Sequence, residues 1–120
     1  PGEQTRPRRM LGQGEFKASF EFFPPRTATM EATLWRSIRR LEPMQPTSVA
    51  VTSGPGEATQ TRTLATLERI LGETSLRPAA HISCASSTRD EIASVARHYW
   101  KLGIRQVVAL RGDPPAGRRY

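Results

Sequence analysis

The chain has 120 residues, enough for one small domain. Hydrophobic residues make up 37% and charged residues 24%, which excludes a wholly disordered chain, and no apolar run approaches the ~20 residues that a membrane-crossing helix requires. The net charge of +7 raises nucleic-acid binding, but the arginines are dispersed: Arg6, Arg8 and Arg9 stand near one end, Arg118 and Arg119 near the other, and no aromatics interleave with them.

Residues 1–15 are rich in Gly, Pro and Arg and are expected to form a disordered basic lead-in, with residues 16–120 as the folded domain. "PGEQTRPRRM" has no signal-peptide pattern. Cys84 is the single cysteine, so no intrachain disulfide can form, which fits a reducing compartment; the cytoplasm is the expected location.

"KASFEF" (17–22) reads as a strand stopped by Pro24 and Pro25. Thr27 or Thr29 can cap the helix that follows, with Glu31 in its first turn. Met30, Leu34, Ile38 and Leu41 make one apolar stripe, closed by Pro43 and Pro46. "SVAVT" (48–52) is a β-branched buried strand, and "SGPGEATQTR" turns the chain. Leu64, Leu67, Ile70 and Leu71 mark a second helix ended by Gly72. "AAHISC" (79–84) is a third strand. Thr88 and Glu91 have capping-box spacing for a third helix, with Ile92, Val95, Ala96, Tyr99 and Leu102 on its apolar face and Gly103 past its end. "QVVAL" (106–110) is the fourth strand, followed by "RGDPP". Apolar strands alternating with helices predict an α/β fold with a parallel sheet.

In such a sheet all strands end on the same edge, and that edge binds ligands. Glu21, Thr52, His81, Cys84, Arg111, Gly112 and Asp113 all fall at or near strand ends. A carboxylate inside "SFEFFPP" is costly unless it is paired or keeps its proton. On the residues alone, other readings stand beside the functional one. Glu21 can be a strand-edge glutamate paired with an arginine, Asp113 a helix N-cap, Arg111 a surface charge, His81 a hydrogen-bonded core residue and Cys84 a small core residue. One cysteine and one nearby histidine do not make a metal site.

"SFEFFPPRT", "SVAVTSG", "HISC" and "RHYWKLGIRQVVALRGDPP", in this order and spacing, resemble the flavin-dependent methylenetetrahydrofolate reductases over about residues 17–116. The resemblance implies the N-terminal half of a (β/α)8 TIM barrel, stopping after the fourth strand where ~250 residues are the norm. It implies FAD at the C-terminal ends of the strands. Hydride would pass from NADH or NADPH through the flavin to methylenetetrahydrofolate, giving methyltetrahydrofolate for one-carbon and methionine metabolism. Glu21 would be the general acid. Phe20, Phe22 and Phe23 are expected to supply an apolar setting that favours its neutral form, although strand alternation turns the first two away. Asp113 would act beside flavin and folate, and Thr52, Ser53, His81, Leu110, Arg111, Gly112 and Asp113 would contact the flavin. Ser53 stands where many members carry a larger or aromatic residue, and Pro55 replaces a small one. The full-length parent is expected to be a homo-oligomer with no nucleic-acid or membrane partner. The 120-residue chain alone is expected to expose two strand edges and apolar interior, to bind FAD poorly and to be inactive. A non-catalytic half-barrel used for assembly, and a basic nucleic-acid-binding module, are the competing readings.

Overall fold

A computed structural model describes residues 16–54, 56–85, 87–114, 116, 117 and 119. The proposed lead-in and Pro55 lie outside the described residues.

Strand β1 (Ser19–Phe22) is short and stops at the two prolines, as their missing N–H groups require. Helix α1 (Ala28–Leu41) starts at Thr27, whose Oγ1 accepts from the Met30 N–H at 3.1 Å. The local cap is therefore Thr27, not Thr29. The buried face of α1 is Leu34, Trp35 and Ile38, while Met30 stays 44% exposed. The apolar stripe is thus rotated from the expected one, with Trp35 buried in place of Met30 and its ring lying under Arg69 of the helix that follows. A short 3-10 turn, Glu42–Met44, leads to β2 (Ser48–Val51).

Helix α2 (Glu57–Glu73) begins seven residues before Leu64, the first apolar residue of its expected stripe, so most of the stretch read as a turn is helical. It also runs one residue past Gly72 and ends at Thr74, whose hydroxyl donates to the Ile70 carbonyl at 2.7 Å. Strand β3 is Pro78–Ser83. Helix α3 (Arg89–Leu102) carries the complete capping box. The Thr88 hydroxyl accepts from the Glu91 N–H, and the Glu91 carboxylate accepts from the Thr88 N–H, both at 3.2 Å. Gly103, at φ +104°, reverses the chain after α3, and β4 is Gln106–Leu110.

The four strands are parallel and lie in chain order, β1-β2-β3-β4. Each βαβ crossover is expected to be right-handed, and a sheet that never reverses its strand order then places every helix on one face. The core obeys that geometry. Phe20, Phe22, Val49, Val51, Ala80 and Ile82 face the helices and pack with Leu34, Trp35, Ile38, Leu67, Ile70 and Tyr99. Consecutive βα units with helices on one side are the architecture of a (β/α)8 barrel segment.

The other face of the same strands carries Ser19, Glu21, Ser48, Ala50, Ala79, His81, Gln106, Val108 and Leu110. No described helix covers it. Its first three strands are small and polar rather than apolar, which differs from the expected exposure of an apolar interior. Among the described residues β1 and β4 each have one strand neighbour. Edge exposure shows at β4, where Val107 on the helix side and Leu110 on the open side are 44% and 43% exposed.

Candidate active site

The open face holds a cleft of about 490 Å³ lined by strands β1 to β4. Its size follows from residue choice: Ser19, Ser48, Ala50 and Ala79 put little bulk above the first three strands. Three large polar side chains stand among its lining residues, Glu21 from β1, His81 from β3 and Gln106 from β4. Glu21 Oε1 lies 4.0 Å from His81 Nδ1, with the imidazole nearly buried and the carboxylate 57% exposed. The strand between them presents Ala50, which pairs in register with Glu21 on one side and Ala79 on the other. A methyl group there lets the two side chains reach each other across β2.

The phenylalanines around Glu21 do not enclose it. Strand alternation packs Phe20 and Phe22 against the helix-side core, although Phe20 also borders the cleft, and Phe23, past the strand end, is 76% exposed. The apolar setting expected for this carboxylate is therefore not supplied by its own motif, and its nearest titratable neighbour is His81.

His81 is held through its backbone. Its carbonyl accepts from the Ser53 hydroxyl at 3.1 Å and, more weakly, from the buried Tyr99 hydroxyl at 3.5 Å. The first bond continues the β2–β3 ladder beyond the last strand residue of β2 by means of a side chain. Ser53, expected at the flavin, thus has a partner within the chain. Burial pushes the Tyr99 hydroxyl above its ordinary pKa of 10.0. Thr52 ties the end of β2 in two directions: its N–H donates to the Phe22 carbonyl at 3.0 Å, and its carbonyl accepts from Thr63 Oγ1 at 2.8 Å.

The end of β4 is joined to the end of β3. The Leu110 carbonyl accepts from the Cys84 N–H at 2.9 Å and the Arg111 carbonyl from the Ala85 N–H at 2.7 Å. Cys84 itself packs against the core, as a small apolar residue would. Leu110 lines the cleft, while Arg111 and Asp113 are exposed. Gly112 has φ +78°, and a Cβ added to it would lie 2.1 Å from Ser83 Oγ. Glycine is required there on both counts.

The parallel sheet therefore sends Glu21, Thr52, His81 and the Arg111–Gly112–Asp113 turn towards one edge. It brings Glu21 against His81, Ser53 against His81, and Gly112 against Ser83. Glu21 lies in β1 and Asp113 three residues past the end of β4, edge strands that are three strand spacings or ~14 Å apart. Ala50 and Ser83 did not stand out in the sequence, and Tyr99 stood out only as an apolar-face residue of α3. Only their parity within a strand, or their place on a helix face, hinted at what they meet. Among the described residues no group of three or more His, Cys, Asp or Glu side chains could hold a metal, and no helix is long and apolar enough to cross a membrane.

A family model described as methylenetetrahydrofolate reductase matches residues 6–120. The 5,10-methylenetetrahydrofolate reductase of Salmonella typhimurium is 50% identical over 105 residues, covering 88% of this chain and 36% of the relative. That of Escherichia coli is 49% identical with the same coverage. The Arabidopsis thaliana protein named methylenetetrahydrofolate reductase (NADH) 1 is 34% identical over 106 residues, covering 88% of this chain and 18% of the relative. The chain spans about a third of the length of the bacterial relatives it matches.

Proposed function

The chain belongs to the methylenetetrahydrofolate reductase family, and from that premise we propose that it supplies the Glu21 side of a site that reduces methylenetetrahydrofolate with electrons from NADH or NADPH. The observation that carries this reading is the position of Glu21. Among the described residues it is the one carboxylate lining the cleft, it projects from the helix-free face, and His81 is its neighbour at 4.0 Å.

The residues present fit a flavin. The cleft offers Val108 and Leu110 as an apolar wall for a flat ring system. Arg111 brings a guanidinium suited to a diphosphate at the rim. When bound, FAD would accept hydride from the nicotinamide and deliver it to the folate. His81, nearly buried beside Glu21, would line the ring's binding surface, and Leu110 and the backbone at Gly112 would approach it from β4. Thr52 and Ser53 set the end of β2 in place by the hydrogen bonds described above.

Glu21 would act on the substrate. The five-membered ring of the folate must open to an electrophilic iminium, and the departing nitrogen needs a proton. A carboxyl group on the open face can deliver one from its Oε atom. Asp113 would place negative charge near the bound ring and the iminium, opposing further negative charge on the first and favouring the cation on the second. Both effects weaken with distance, so they depend on where the β4 turn holds that carboxylate.

Glu21→Gln tests the assignment in a protein of the relatives' length. Folate reduction should fall by about 10²–10⁴-fold, the range for losing a general acid, while reduction of the flavin by NADH or NADPH continues. Equal loss of both half-reactions would refute it.

A further inference from the structure

We propose that Ser83 is the positioning residue of the Arg111–Gly112–Asp113 turn: its hydroxyl fills the space beside the Gly112 α-carbon and so fixes where the chain carrying Asp113 leaves the sheet. The inference rests on the reading above that Asp113 acts beside the flavin.

Four observations carry it. Ser83 pairs in register with Leu110, the last residue of β4. Beyond that pair the ladder runs on through the Cys84 N–H to the Leu110 carbonyl and the Ala85 N–H to the Arg111 carbonyl, at 2.9 and 2.7 Å. Gly112 then departs with φ +78°. A Cβ on Gly112 would meet Ser83 Oγ at 2.1 Å, Ser83 Cβ at 3.4 Å and Ala85 Cβ at 3.8 Å. The place a side chain would take at Gly112 is thus filled from within the chain, by the first atom of the Ser83 side chain beyond Cβ.

That atom is a short, stiff stop. It is one bond from Cβ, and Cβ belongs to a strand hydrogen-bonded on through the turn. The turn cannot approach β3 more closely without colliding with the hydroxyl. The two backbone bonds oppose its moving away. A larger residue at 83 would push the turn outward and stretch the Ala85–Arg111 bond. A smaller one would leave the turn free to settle inward. Serine matches the gap, and Asp113, one residue on, inherits the position. Because a charge acts on a bound ring in proportion to inverse distance, a substitution at Ser83 that moves the turn changes the field at the flavin while leaving Asp113 itself unaltered.

The test uses a protein of the relatives' length with FAD bound, and two readouts. The first is hydrogen exchange of the Ala85 amide. Gly112→Ala should accelerate it, and pairing that change with Ser83→Gly should make the acceleration smaller by about tenfold, a coupling in the range for touching residues. The same acceleration in both backgrounds overturns the proposal. The second readout is the flavin reduction potential, which a purely structural residue would leave alone. Ser83→Val should shift it in the same direction as Asp113→Asn and by less. The shift from Ser83→Val should vanish in the Asp113→Asn background. An equal shift in that background, or no shift in the parent, overturns the link to Asp113. If the parent protein binds no flavin, the functional reading fails, and the exchange experiment still decides whether Ser83 sets the turn.

Discussion

The two faces of this one sheet are built on opposite rules. On the helix side Phe20, Phe22, Val49, Val51, Ala80 and Ile82 pack with three helices, and Val49, Val51, Leu67 and Ile70 are fully buried. On the other side the same strands alternate to Ser19, Glu21, Ser48, Ala50, Ala79 and His81. Residues one apart in sequence serve different ends: Phe20 and Phe22 hold the fold together, and Glu21 between them faces an open cleft. A period of two therefore separates the packed face from the face that carries the proposed chemistry, and substitutions on the two faces should fail in different ways.

The largest stability effect belongs to the helix side. Leu67→Ala removes a fully buried side chain between α2 and the sheet and should cost about 2–5 kcal/mol, read from denaturant unfolding. A cost below ~1 kcal/mol would mean that this face is not the core. The open face makes the contrary prediction. Ala50→Leu puts bulk between Glu21 and His81, and should change stability by under ~1 kcal/mol while slowing folate reduction by about tenfold or more, since small displacements at a site are costly. If Ala50→Leu unfolds the protein as readily as Leu67→Ala, the two faces are not separable.

Smaller effects sharpen the same contrast at the helix layer. Thr88→Ala should cost ~1 kcal/mol by removing one half of the capping box, and Thr88→Ser should recover most of it, measured by thermal unfolding. Arg69 stacks over the Trp35 ring at 3.9 Å and pairs with Glu31 at 2.9 Å and with Glu73. Because all three charged groups are exposed, Arg69→Ala should cost only ~0.5–1 kcal/mol. The smallest effect is confined to high pH. Burial raises the Tyr99 pKa, so the folded state holds this proton more tightly than the unfolded one. The stability it contributes is complete below pH 10.0, the ordinary value, and declines as pH rises above it. Tyr99→Phe should flatten that decline in unfolding experiments at pH 9 to 11.

Local rules made much of this fold readable from the sequence. Thr88 with Glu91, and Gly103 past the end of α3, are set by hydrogen bonding within a few residues, so their spacing predicts them. The alternation of Phe20, Glu21 and Phe22 already turned the rings away from the carboxylate. The start of α2 was not legible. Its first turn follows Gly56 at φ +95° with no side-chain cap, and its first residues are polar, so neither capping nor periodicity marks them. In α1 the periodicity pointed to Met30 rather than Trp35, and it is Trp35 that is buried, with Arg69 of α2 over its ring. The contacts around the cleft were less legible than the residues that make them. Glu21, His81 and Gly112 stood out by residue type. That Glu21 would meet His81 across Ala50, that Ser53 would bond the His81 carbonyl, and that Ser83 would fill the space beside Gly112 depend on contacts across neighbouring strands. Such contacts leave no mark at fixed spacing.

The central claim is that one face of the sheet carries stability and the other the reaction. It is tested most directly by measuring unfolding free energy and folate half-reaction rate together for Glu21→Gln and Val51→Ala, adjacent in the sheet but on opposite faces. The account predicts that Glu21→Gln keeps its stability within ~0.5 kcal/mol and loses folate reduction, and that Val51→Ala loses stability and keeps the reaction rate of its folded fraction. A Glu21→Gln protein that unfolds as Val51→Ala does, or that still reduces folate at the parent rate, would contradict it.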